Sequence, residues 1–261
     1  MNPNNEKYTQ ALQRLLGIMN ELREKCPWDK KQTLESLRHL TIEETYELSD
    51  AILANDLEEI KKELGDLMLH IVFYSKIGAE KQAFDIGDVM NNVCEKLITR
   101  HPHVFGDVKV ENDAEVKRNW EQLKLKEKGG NKSVLAGVPK SLPALIKALR
   151  IQEKAHNIGF DWQEKEQVWE KVEEEITEFK NEINNGNKET AQAEFGDILF
   201  SLVNYARFID INPETALEKT NRKFIKRFNY IETAAKRDNK KLQELSLAEM
   251  DVYWEESKKK T

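Results

Sequence analysis

At 261 residues, 39% of them hydrophobic and 34% charged, the chain can build one large core or two small ones, and its composition excludes a disordered or membrane-embedded protein. A formal net charge of −6 argues against general nucleic-acid binding, which needs a surplus of lysine and arginine, and no apolar run is long enough for a membrane span. Two cysteines, Cys26 and Cys94, are too few for a disulfide framework, and no leader-like apolar segment opens the chain, so a cytoplasmic location is expected.

Six prolines and eleven glycines, with apolar residues recurring at spacings of three and four, predict an all-α fold. Leu12, Leu15, Leu16, Met19 and Leu22 form the first stripe. "CPWDK" then leads into an acidic segment, Glu43 to Asp66, followed by stripes at Leu64, Leu67, Leu69 and Ile71, and at Val89, Val93 and Leu97. In "RHPHVF" two histidines flank Pro102; with no ligand partner nearby this reads as a helix-terminating loop rather than a zinc site. Glycines and prolines cluster in "KGGNKSVLAGVPKSLP", which predicts domains over 1–128 and 141–261 joined by a linker over 129–140. Beyond it come "GFDWQ", a second acidic segment from Glu174 to Asp197, a stripe at Ile198, Leu199, Leu202 and Val203, and a charged tail.

The second half repeats the first. Trp28-Asp29 is echoed in reverse by Asp161-Trp162, Lys96 and Arg100 by Lys223 and Arg227, and Trp120 by Trp254. A single glutamate-rich helix is usually a solvated face, but repetition of its spacing argues for a site. Glu44 and Glu47 share a helix face, as do Glu63 and Asp66, and the pairs are symmetric about Asn55. Glu175, Glu178, Glu194 and Asp197 are symmetric about Gly186 in the same way. Each segment is therefore expected to fold as an antiparallel helical hairpin, with its inner glutamates level at roughly 12 Å from the turn. Apolar neighbours such as Tyr46, Ile52, Leu64, Ile183 and Phe195 place the acids toward the buried side, where uncompensated carboxylates repel. An all-oxygen set suits Mg²⁺, with Mn²⁺ as the alternative ion, and disfavours zinc; a di-iron bundle wants histidines at these spacings, and His70 has only Ser201 as its counterpart. Mg²⁺ shares its coordination with phosphates, which makes a phosphate anhydride or ester the natural substrate and gives Lys223 and Arg227 phosphate oxygens to hold.

The motifs "CPWD", "EETYEL", "ELGDLM" and "RHPHVF", with "GFDW", "EEITEF", "EFGDILF" and "KFIKRF", resemble the MazG family of all-α nucleoside triphosphate pyrophosphohydrolases over essentially the whole chain. The resemblance implies a tandem repeat of two MazG-like helical bundles, a homodimer, Mg²⁺ dependence, and hydrolysis of NTPs and dNTPs of varied base to monophosphate and pyrophosphate. It implies metal ligands at Glu175, Glu178, Glu194 and Asp197, nucleotide contacts from Lys171, Glu174, Lys223, Arg227 and Trp254, and catalysis centred on Lys171, Glu174 and Glu175. The first half keeps Glu44, Glu47, Glu63, Asp66, Lys96 and Arg100, but Leu40 stands where the second half has Lys171. Ala193 is a further departure, at a position where relatives can carry an acid. The rival reading is a dimeric binding or regulatory protein whose first half has lost catalysis. Pyrophosphate release from mixed NTPs separates the two.

Overall fold

The computed structural model describes residues 4–112, 115–116, 119–120, 123 and 133–260; residues 129–132 of the expected linker, and Thr261, lie outside them. Among the described residues all regular structure is helical, as the spacing of apolar residues predicted. The chain divides into two compact units, Met1–Lys109 and Val110–Thr261.

The first unit contains α1 (Asn5–Lys25), α2 (Leu34–Ala54), α3 (Leu57–Glu80), α4 (Ile86–Arg100) and the single turn α5 (Pro102–Phe105). α2 starts at a reciprocal cap between Thr33 and Ser36 and stops at Asn55, whose N–H donates to the Ile52 carbonyl and whose φ of 57° turns the Asp56 N–H back onto the Ala51 carbonyl. Asp56 then caps α3 by accepting from the backbone N–H groups of Glu58 and Glu59. This is the hairpin expected about residue 55. α1 packs on α3, and the core is Met19, Leu37, Val72, Phe73 and Ile77, with Leu40 packed against it. α4 ends at Arg100, one residue before Pro102 starts α5, so the histidine motif does terminate a helix.

The second unit contains α6 (Ala144–Asn157), α7 (Lys165–Asn185), α8 (Lys188–Phe208), α9 (Pro213–Arg237) and α10 (Leu247–Lys258). Gly186, at φ 70°, closes α7, and the Asn187 side chain caps α8 through the Thr190 N–H. α6 covers one face of α8, and Val168, Val172, Ala191, Ile198 and Val203 are buried on the hairpin. A second core joins α9 to α10 through Ile231, Ala234, Ala235, Leu245 and Tyr253.

Two features differ from the sequence-based picture. The division falls at Lys109/Val110, ahead of the expected linker, and the proline- and glycine-rich stretch is not a bare tether: Val134–Gly137 forms a 3₁₀ turn that packs on α6. Apolar residues flanking the acids are also more open than expected, with Tyr46, Ile52, Leu64, Ile183 and Phe195 all about half exposed. Within each unit the neighbouring helices cover one side of a hairpin and leave the other uncovered.

Candidate active site

Folding each hairpin at its central residue places the two acidic runs opposite each other. Carboxylate oxygens of Glu44, Glu63 and Asp66 lie within 4.8 Å of one another, and so do those of Glu175, Glu194 and Asp197. Glu47 and Glu178 lie outside these groups and are exposed. They still act on them by charge. Burial, followed by repulsion from Glu47 and Glu44, pushes the Glu63 carboxyl above its ordinary value; burial, followed by repulsion from Glu178 and Asp197, does the same to Glu194. Glu44 is raised by burial and then by Asp66 and Glu47.

Glu63 and Glu175 are each only 6% exposed, and Glu63 Oε2 has no hydrogen-bond partner among the described residues. A buried oxygen facing other carboxylates is costly unless a cation shares it. The donor sets, all carboxylate oxygen, fit a hard divalent ion of the Mg²⁺ or Mn²⁺ type. The residues present therefore suit the metal that their spacing implied.

The two clusters part company one turn upstream. Lys171 Nζ lies 2.7 Å from Glu175 Oε1 and 3.0 Å from Glu174 Oε1, and hydrogen bonds to these two carboxylates raise its pKa, holding it protonated. Leu40, at the matching place on α2, turns to the hydrophobic core instead. Beside Lys171 opens a cavity of about 160 Å³ lined by Gln152, Trp162, Val168, Phe200, Ser201 and Asn204, with Glu175 and Asp197 in its wall. Its shape is held by a polar chain: Arg207 donates to Asn204 Oδ1 at 3.0 Å and to Asp161 Oδ1 at 2.7 Å, while His156 Nδ1 lies 2.6 Å from Asp161 Oδ2. Sequence reading singled out Trp162 and Ser201 without giving them a site role, and missed Gln152, Val168, Phe200 and Asn204. Phe200, Ser201 and Asn204 follow Asp197 at spacings of three, four and seven, which was the available signal.

On α9, Arg227 lies over the Trp254 ring, 5.6 Å from its centroid, and Phe224 packs on the same ring at 5.3 Å. The buried Arg227 Nε has no hydrogen-bond partner among the described residues, and Lys223 is exposed on the same helix. The structure thus brings Arg227 and Trp254 together. Neither Arg227 nor Lys223 forms an ion pair with the acids among the described residues, and Lys96 and Arg100 lie on α4, exposed and partly buried respectively.

A tandem pair of helical hairpins, each gathering carboxylates fit for a divalent cation, defines an all-α protein with a duplicated site. The model of the MazG nucleotide pyrophosphohydrolase domain matches residues 32–105 and 163–231, the segments that carry the two hairpins. The chain is 45% identical over 247 residues to the nucleoside triphosphate pyrophosphohydrolase/pyrophosphatase MazG of Thermotoga maritima, covering 94% of each. It is 40% identical over 255 residues to the nucleoside triphosphate pyrophosphohydrolase of Escherichia coli K12, covering 95% of this chain and 97% of that one. It also matches the uncharacterized protein YabN of Bacillus subtilis at 48% identity over 246 residues, 93% of this chain but 50% of that protein. The chain belongs to the MazG nucleotide pyrophosphohydrolase family.

Proposed function

We propose that this protein hydrolyses nucleoside triphosphates to the monophosphate and pyrophosphate, with its catalytic centre in the second unit. The observation that carries this reading is the placement of Lys171 against Glu174 and Glu175 beside the Glu175–Glu194–Asp197 group. Substrate and ion are both charged, and the site offers carboxylates for a cation next to a fixed ammonium for phosphate oxygens.

Glu175, Glu194 and Asp197 would hold Mg²⁺, or Mn²⁺ in its place, with Glu178 adding negative charge from outside the group. The bound ion would supply Lewis-acid stabilisation of the triphosphate and of the pyrophosphate leaving group. Lys171 exchanges a carboxylate for a phosphate oxygen when substrate enters. Glu174, exposed and released by that exchange, or Glu175 would orient the attacking water. Lys223 and Arg227 are cations available to the remaining phosphate oxygens. Trp254, with Arg227 over its face, offers a surface on which any base can stack without its edges being read, in keeping with activity on NTPs and dNTPs of varied base.

A homodimer is part of the proposal. Leu217, Phe224 and Ile225 on α9, Leu64, Met68 and Ile71 on α3, and Phe195, Leu199 and Leu202 on α8 are large and exposed in the single chain. A second copy covering such faces would complete bundles that each unit leaves open on one side. A cytoplasmic location is in keeping with two free cysteines and with the absence, among the described residues, of any helix long and apolar enough to cross a membrane.

For the first unit alone, a binding or structural role has its own support, because Leu40 removes the cation that Lys171 supplies. Chromatographic separation of the products of ATP, GTP, CTP, UTP and their deoxy forms tests the proposal. Monophosphate and pyrophosphate should form in Mg²⁺ and not in chelator. Diphosphate with orthophosphate, or no turnover of any nucleotide, would contradict it.

A further inference from the structure

The repeated spacing hides an asymmetry of charge. In the second unit Glu175 already has a cationic partner, Lys171 at 2.7 Å. In the first, no lysine or arginine among the described residues pairs with Glu44, Glu63 or Asp66, and Glu63 Oε2 is buried without any hydrogen-bond partner. His70 Nδ1 is engaged by Thr41 Oγ1 at 2.9 Å, and that hydroxyl is in turn 2.6 Å from Tyr74 Oη. Leu40 points into the core and cannot be recruited.

We propose that the first-unit cluster takes up a divalent cation on its own, without nucleotide, whereas the second-unit cluster takes up its ion efficiently only together with a triphosphate. An ion entering the first cluster meets carboxylates with no lysine or arginine partner among the described residues, and one of them has a buried oxygen left unsatisfied. An ion entering the second must compete with Lys171 for Glu175, and a displaced ammonium beside a divalent ion is repelled until a phosphate receives it. Ion and nucleotide binding are therefore coupled in the second unit, and by reciprocity each raises affinity for the other. The first unit holds a resident ion and the second a substrate-coupled one. This rests on the metal reading of the clusters given above.

The test is titration of the full-length protein with Mn²⁺ alone, with free ion followed by electron paramagnetic resonance and no nucleotide present. Wild type should show two classes of site, the first at least about tenfold tighter than the second, as loss of a charge-assisted contact implies. Glu63→Gln should abolish the tight class and Glu194→Gln the weak one. Lys171→Met should tighten the weak class at least about fivefold, and Leu40→Lys should weaken the tight class. Leu40 packs on the core, so the partly exposed Lys171 provides the variant least exposed to misfolding. One affinity class in wild type, a tight class that survives Glu63→Gln and disappears in Glu194→Gln, or a Lys171→Met variant within twofold of wild type would overturn the proposal. No turnover enters this assay, so its failure stays distinct from absence of pyrophosphate release.

Discussion

Glu175 combines burial, a lysine partner and two neighbouring carboxylates, which makes it the residue on which the second site depends most. On the proposed mechanism Glu175→Gln and Asp197→Asn should each lower kcat by at least about a hundredfold, because each would remove charge from the ion that stabilises the transition state. Steady-state rates, with circular dichroism to confirm an intact fold, check this. The spacing of three between Glu44 and Glu47, and between Glu175 and Glu178, showed that each pair shares a broad face. It did not show that the second member falls outside the converging group, because residues three apart still differ by about 60° around a helix. Which carboxylates meet is decided by hairpin rotation, a tertiary property with no local signature. The arginine–tryptophan pair on α9 and α10 was similarly legible as two candidates and illegible as a contact.

The helices themselves were easier to read. Symmetry of the acids about Asn55 and Gly186 fixed both hairpin turns, and both residues adopt the left-handed conformation that such turns need. Gly186→Val should destabilise the second hairpin, as a branched side chain is strained at φ 70°. Asp56→Ala should remove the cap of α3 at a cost of about 1 kcal/mol, read as a lowered Tm of the first unit. α10 offers a pH test. Bonds from the Ser246 backbone and hydroxyl, then Lys240, hold the Glu249 carboxyl down to about 2, and Arg237 with Tyr253 holds Asp238 down to about 2. Both lie below their ordinary values of 4.5 and 3.8, so the unfolded chain takes up protons first as pH falls. The stabilisation they give is complete above those ordinary values and is lost as pH falls toward 2. Amide exchange in α10 should accelerate through that window, and exchange unchanged down to pH 2 would contradict the assignment.

At the scale of the whole molecule, repetition was visible in the sequence because each half writes its own acids, turns and basic pair. The boundary between the units was not, since a glycine- and proline-rich stretch can pack as a 3₁₀ turn as readily as it can link. The apolar stripes on α4 and α8 also proved partly exposed, because periodicity marks an amphipathic face without saying which chain will cover it. Light scattering over a hundredfold range of concentration should return a dimer that dissociates, if at all, only at the dilute end; a monomer mass throughout would refute the second-copy reading of those faces.

If the duplicated clusters divide their labour, with turnover in the second unit, matched variants of the two must differ in activity. Side-by-side assay of Glu44→Gln and Glu175→Gln against every common NTP and dNTP in Mg²⁺ tests it most directly. Loss of pyrophosphate release in Glu175→Gln by at least about a hundredfold, with Glu44→Gln retaining most activity, is the predicted result. Equal loss in both variants on every substrate, or retention of activity in Glu175→Gln, would contradict it.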